Sequence, residues 1–119
     1  MYKVLLVDDS TFMRKWITNI LHESRRYTVI AEASNGREAI LKYNELHPDI
    51  VIMDLVMDDM DGIQTLRHLV YLFSGIKVIM CSSLAQYSSI QECLSLGAKD
   101  FIIKPNFSNL IQTLDNVAN

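Results

Sequence analysis

The residues able to do chemistry in this sequence stand at the ends of short apolar runs. Asp8 and Asp9 follow the run at 3–7, Asp54 follows 50–53, Ser82 and Ser83 follow 77–81, and Lys104, joined to Pro105, follows 101–103. Taken singly, an aspartate after such a run is a turn former or a helix cap. Acids, hydroxyls and an ammonium at the ends of separate runs are harder to reach together by chance. If the run ends converge, the three carboxylates repel one another and raise the pKa of at least one of them unless a cation intervenes. Two unit charges about 4 Å apart cost several kcal/mol at an effective dielectric of roughly 20. A hard divalent ion relieves this. Magnesium takes oxygen ligands, keeps several waters and needs one or two carboxylates plus phosphate oxygens. It would also neutralise a phosphoryl group that bare acids repel. Lys104 adds a compact positive charge, and Ser82 adds a hydroxyl donor. Asp54, between these groups, is a carboxylate that can act as nucleophile and form an acyl phosphate.

For these side chains to meet, the runs that carry them must be neighbouring strands. The runs at 3–7, 28–33, 50–53, 77–81 and 101–103 are almost continuously hydrophobic, the pattern of strands covered on both faces. Between them lie apolar stripes at spacings of three and four: Phe12, Trp16, Ile17, Ile20, Leu21; Ala39, Ile40, Tyr43, Leu46; Leu66, Leu69, Val70, Phe73; Ile90, Cys93, Leu94; and Leu110, Ile111, Leu114, Val117. Asn35-Gly36 opens the second helix with Glu38 placed to reach back, and His47-Pro48 closes it. Gly62, Gly75 and Gly97 fall at predicted element boundaries. Five strand–helix pairs imply a doubly wound α/β domain with a parallel sheet and helices on both faces. In such sheets ligands bind beyond the carboxyl ends of the strands, where the polar residues above are found.

The remaining composition narrows the function. A chain of 119 residues fits one domain, read here as spanning 1–119. Its net charge of −3 lacks the basic surface that nucleic acid requires. No apolar run reaches the roughly 18 residues of a membrane span, and the N-terminus opens into a strand rather than a signal peptide, so a cytoplasmic location is expected. Cys81 and Cys93 form no CxxC pair and read as reduced core thiols. Trp16 and the methionines read as core fillers, and His22, His47 and His68 as solvated residues on helix faces or ends. Asp59, Asp61 and Gly62 hint at a calcium loop. With Gly62 at loop position six, however, positions one and twelve fall on Met57 and His68, where carboxylates are needed. Asp61 is better read as the cap of the third helix.

The segments VLLVDDS at 4–10, IMDL at 52–55, MDG at 60–62, Ser82-Ser83 and GAKDFIIKP at 97–105 closely resemble the receiver domains of two-component response regulators. The resemblance runs from about Lys3 to Val117 and implies a flavodoxin-like three-layer sandwich with sheet order 2-1-3-4-5. It implies that Asp54 accepts a phosphoryl group from a sensor histidine kinase, and that Asp8, Asp9 and Asp54 hold Mg2+ with the Val56 backbone carbonyl. Ser82, with Ser83 beside it, would be the switch hydroxyl, Lys104 the phosphate contact and Phe101 the switch aromatic. A cis bond before Pro105 is also implied. The fourth helix, fifth strand and fifth helix would present the output face to a downstream protein, in a chemotaxis regulator the flagellar switch. The sequence departs from the pattern at Asp58, where the family usually has proline, and at Phe101, often tyrosine in chemotaxis members. Val56 and Leu84 are apolar where the family tunes water access to the acyl phosphate, so self-dephosphorylation is expected to be slow.

Three rival readings are weaker. A nucleotide or flavin enzyme needs a glycine-rich phosphate loop after the first strand, and this chain has Val7-Asp8-Asp9-Ser10-Thr11 there. A pseudo-receiver would lack an acid or the lysine. A receiver belonging to a longer regulator, such as a DNA-binding transcription factor or a chemotaxis methylesterase, would carry an output domain beyond the fifth helix. The expectation is a stand-alone chemotaxis-type switch rather than an enzyme acting on an external metabolite.

Overall fold

Residues 1–57, 60–83 and 86–119 are described by the structure, a computed structural model. Strands and helices alternate from end to end: β1 (Tyr2–Val7), α1 (Thr11–Ser24), β2 (Tyr27–Ala33), α2 (Gly36–Leu46), β3 (Ile50–Asp54), α3 (Gly62–Leu72), β4 (Val78–Ser82), α4 (Tyr87–Leu96), β5 (Asp100–Ile103) and α5 (Leu110–Ala118). All strand pairings are parallel, in the order β2-β1-β3-β4-β5. This is the flavodoxin-like doubly wound arrangement expected from the sequence. Successive side chains of a strand point to opposite faces, so each strand feeds two cores. Leu5, Val7, Val51, Met53, Val78 and Met80 pack beneath α2, α3 and α4 through Ala39, Tyr43, Leu66, Leu69 and Cys93. Val4, Leu6, Ile50, Ile52, Ile79 and Cys81 pack against α1 and α5 through Ile17, Leu21, Leu110 and Leu114. Both cysteines are buried and unbridged.

Helix starts follow the polar punctuation. The Ser10 hydroxyl accepts from the Met13 amide at 3.2 Å, Asn35 Oδ1 from Glu38 at 2.9 Å and Asp61 Oδ1 from Gln64 at 2.8 Å. The Glu38 carboxylate lies 3.5 Å from Lys42. His47 closes α2 in the left-handed region at φ 44. Gly97 closes α4 in the same region at φ 117, a conformation glycine adopts without a Cβ penalty.

The burial of Trp16 was misjudged from the sequence. Trp16 is 37% exposed and Phe12 70% exposed, although both belong to the expected α1 stripe. At 100° per residue they sit about 100° and 140° around the helix from Ile17, off the strip that meets the sheet. Trp16 instead lies edge-on to Phe107, with ring centroids 5.1 Å apart. Among the methionines, Met53, Met57 and Met80 are buried but Met1 is exposed.

Candidate functional site

Parallel pairing brings the strand ends to one edge of the sheet. Val7 pairs with Met53 and Asp54 with Cys81, so Asp8 and Asp54 emerge side by side. Ser82 pairs with Ile103, which places Lys104 next in line. Asp8 is nearly fully buried. Its amide donates to the Ala33 carbonyl at 3.0 Å, its Oδ1 accepts from the Ser10 amide at 2.8 Å, and its Oδ2 accepts from Lys104 Nζ at 2.9 Å. Asp54 is also buried. Its Oδ1 accepts from the Val56 amide at 3.4 Å and lies 3.4 Å from Lys104 Nζ. The Lys104 amide donates to the Ser82 carbonyl at 2.9 Å, and the Lys104–Pro105 bond is cis, as the resemblance implied. One ammonium thus reaches both buried acids.

Asp9 is exposed, yet Asp8, Asp9 and Asp54 can each offer an oxygen with all three atoms within 4.8 Å of one another. The electrostatics follow from this crowding. Burial, and after it the Asp8 charge, pushes the Asp54 carboxyl up to about 6, against the opposing pull of Lys104 and the Val56 amide. For Lys104, burial works to lower the pKa, but the hydrogen bond to Asp8 and the Asp54 charge outweigh it and hold the ammonium above its ordinary value. Three ionised carboxylates less one ammonium leave a formal surplus of two negative charges. An all-oxygen donor set with that surplus fits a hard divalent cation.

Ser82 is buried at the end of β4 and Ser83 is exposed just beyond it. Phe101 is half-buried, pairs with Met80 and packs against the α2–α3–α4 core rather than beside the acids. Val56 is half exposed. Leu84, together with Asp58 and Asp59, lies outside the described residues.

Two contributors were not foreseen. A Cβ on Gly62 would come within 2.4 Å of the Asp54 carbonyl oxygen, so glycine lets α3 start against the end of β3, a contact that neither its place at an element boundary nor the MDG segment at 60–62 specifies. Arg14, in the opening turns of α1, donates to the Asp8 carbonyl and, through Nε, to Glu32 Oε1 at 2.9 Å. A cation near a helix N-terminus is disfavoured by the helix dipole. That misplaced charge was the available sign that Arg14 has specific partners.

A doubly wound parallel sheet with an acid cluster and a lysine at its carboxyl edge defines the class. Residues 4–115 match the response regulator receiver domain family, and the chain belongs to it. Chemotaxis protein CheY of Listeria monocytogenes is 43% identical over 119 residues, covering 99% of each chain. A protein-glutamate methylesterase/protein-glutamine glutaminase of Syntrophomonas wolfei is 43% identical over 106 residues, 87% of this chain but 30% of that protein. Among solved structures, the CheX-CheY-BeF3-Mg+2 complex from Borrelia burgdorferi aligns with a TM-score of 0.92 and 36% identity, over 98% of this chain and 88% of that one. Receiver domains of this type are signalling switches that interact with histidine kinases and downstream targets. Among the described residues, no helix is long and apolar enough to cross a membrane.

Proposed function

We propose that this protein is a stand-alone chemotaxis-type regulator, a single receiver unit over 1–119 in the cytoplasm, switched by phosphorylation of Asp54. The observation that carries the reading is the Lys104 ammonium, 2.9 Å from Asp8 and 3.4 Å from Asp54 in a pocket bounded by three carboxylates. Asp8, Asp9 and Asp54, with the Val56 carbonyl, would hold Mg2+. When bound, that ion supplies the positive charge that offsets the acids and the phosphoryl oxygens.

The phosphoryl donor is a kinase phosphohistidine. A carboxylate oxygen of Asp54 attacks phosphorus in line, the phosphorus–nitrogen bond breaks, and the imidazole leaves with its electron pair and takes up a proton. Such transfers require mainly positioning and charge neutralisation. Lys104 contacts the transferred group, and the Ser82 hydroxyl, with Ser83 at the mouth, donates to one of its oxygens. The acyl phosphate then biases a two-state equilibrium. Ser82 moves toward it, Phe101 packs inward, and the α4-β5-α5 face changes its affinity for a downstream protein, such as a flagellar switch component. The chemistry is confined to self-phosphorylation and self-dephosphorylation, the latter slowed by the apolar Val56 and Leu84.

Intact mass after incubation with acetyl phosphate tests this. One phosphoryl group is expected in the presence of Mg2+ and none in Asp54→Asn; a gain that survives this substitution moves the site elsewhere. The second reading, a receiver carried by a longer regulator, is favoured by the methylesterase match, in which the similar segment is under a third of the relative.

A further inference from the structure

Resting on the cation pocket proposed above, we infer that Arg14 is a positioning residue that sets the Asp9 carboxylate for divalent-cation binding. Its guanidinium joins three parts of the molecule. One nitrogen donates to the Asp8 carbonyl, Nε donates to Glu32 Oε1 on β2 at 2.9 Å, and Nη2 lies 3.4 Å from Thr11 Oγ1 on the first residue of α1. The Arg14 side chain is 17% exposed, and the backbone carbonyl of Glu32 is in turn held by Lys42 Nζ. The strut is therefore anchored at both ends.

The peptide it grips is the one between Asp8 and Asp9. The Asp8 amide, in the peptide before it, is fixed by Ala33, and the Asp8 carbonyl, in the peptide that leads into Asp9, is held by Arg14. The two acids differ in what else restrains them. The Asp8 carboxylate keeps the Ser10 amide and the Lys104 ammonium whatever Arg14 does. The Asp9 carboxylate is exposed and takes part in no hydrogen bond or ion pair among the described residues. Only its backbone holds it within 4.8 Å of the other acids. Arg14 acts on the pocket through Asp9.

The effect expected of removing Arg14 is opposite in sign to that of simple electrostatics. A guanidinium beside a cation site repels the cation, so deleting it for its charge alone would tighten binding. Deleting a strut that orients a ligand weakens binding, typically by about 10–100-fold where the contact is direct to the ligand. Here the contact is to backbone, and a loss of about five- to tenfold is expected.

Magnesium titration of the full chain by 1H–15N NMR decides the matter. Arg14→Met is expected to weaken magnesium about five- to tenfold, and by less than about twofold in an Asp9→Asn background, the non-additivity of residues acting as a unit. Arg14→Lys keeps the charge but not the fork, and should bind within about twofold of Arg14→Met. Unchanged or tighter binding by Arg14→Met, an undiminished loss in the Asp9→Asn background, or full rescue by lysine would overturn the inference. Urea unfolding in EDTA accompanies each variant. If Arg14→Met fails to fold, Glu32→Gln, which weakens one anchor only, should lose about two- to threefold in the same titration, and no loss there overturns the inference equally. Wild-type protein that binds no magnesium would instead overturn the pocket reading itself.

Discussion

Lys104 is the residue whose removal says most about how the pocket is balanced. It is the cation shared by two buried carboxylates, at 2.9 and 3.4 Å, and its own side chain is 7% exposed. Replacing it by methionine keeps the length and removes the charge, leaving Asp8 and Asp54 to repel each other. Breaking a buried pair costs about 3–5 kcal/mol when the remaining charge has no escape. Here Asp54 can protonate, so Lys104→Met is expected to lose about 1–3 kcal/mol in urea unfolding at pH 7.5 in EDTA. The pH dependence has a definite sign. Burial, followed by the Asp8 charge, already holds the metal-free Asp54 carboxyl near 6, above its unfolded value of 3.8. A carboxyl raised in this way contributes stability that is present at low pH and is lost as pH rises through the folded value. Without Lys104 that value rises further, so the deficit should shrink between pH 7.5 and pH 5. A deficit that is constant across this range would show that Lys104 acts through packing instead.

At the scale of elements, the pocket depends on how closely α3 approaches the end of β3. The Gly62 amide donates to the Leu55 carbonyl at 2.8 Å, and a Cβ on Gly62 would meet the Asp54 carbonyl oxygen at 2.4 Å, Leu55 Cα at 2.6 Å and the Leu55 carbonyl oxygen at 2.9 Å. All three are backbone atoms that cannot swing aside. Gly75 offers the opposite case, with φ +77 and nothing within 4 Å of an added Cβ. Gly75→Ala therefore carries only the left-handed backbone penalty, about 1–2 kcal/mol. Gly62→Ala must push α3 away from β3, and is expected to cost about 2–3 kcal/mol in urea unfolding and to weaken magnesium binding as well. Magnesium binding should be unchanged in Gly75→Ala. Equal effects of the two substitutions on cation affinity would remove close packing of α3 as a determinant of the site.

At the scale of the whole molecule, what was legible in the sequence is what is encoded locally. Near-continuous apolar runs specify strands buried on both faces, and Asn35 and Asp61 cap their helices from within a few residues. The pocket was legible because parallel pairing turns the order of Asp8, Asp54, Ser82 and Lys104 along the chain into adjacency at one sheet edge. Features that need a partner from elsewhere were not legible: the reach of Arg14 to Glu32, the approach of Gly62 to Asp54, and the placement of Trp16 against Phe107. The clasp at the opposite edge of the sheet belongs to this second kind. There the Tyr27 hydroxyl, at the start of β2, donates to Asp115 Oδ1 of α5 at 2.6 Å, and Arg26 Nη2 lies 2.9 Å from Asp115 Oδ2. The hydrogen bond from Tyr27 lowers the Asp115 pKa, while burial and then that same bond raise the Tyr27 pKa from 10.0. The lowered carboxyl contributes stability that is present above its unfolded value of 3.8 and lost as pH falls through the folded one. The raised phenol contributes stability that is present below 10.0 and lost as pH rises beyond it. The clasp thus works between these limits, away from the charge-strained pocket. Tyr27→Phe is expected to lower the melting temperature by about 3–6 °C at pH 7. The gap to wild type should narrow below about pH 4 and again above about pH 10. Scanning calorimetry across that range checks it: a gap independent of pH would mean that the phenyl ring alone, and not the hydroxyl–carboxylate bond, ties α5 to the sheet.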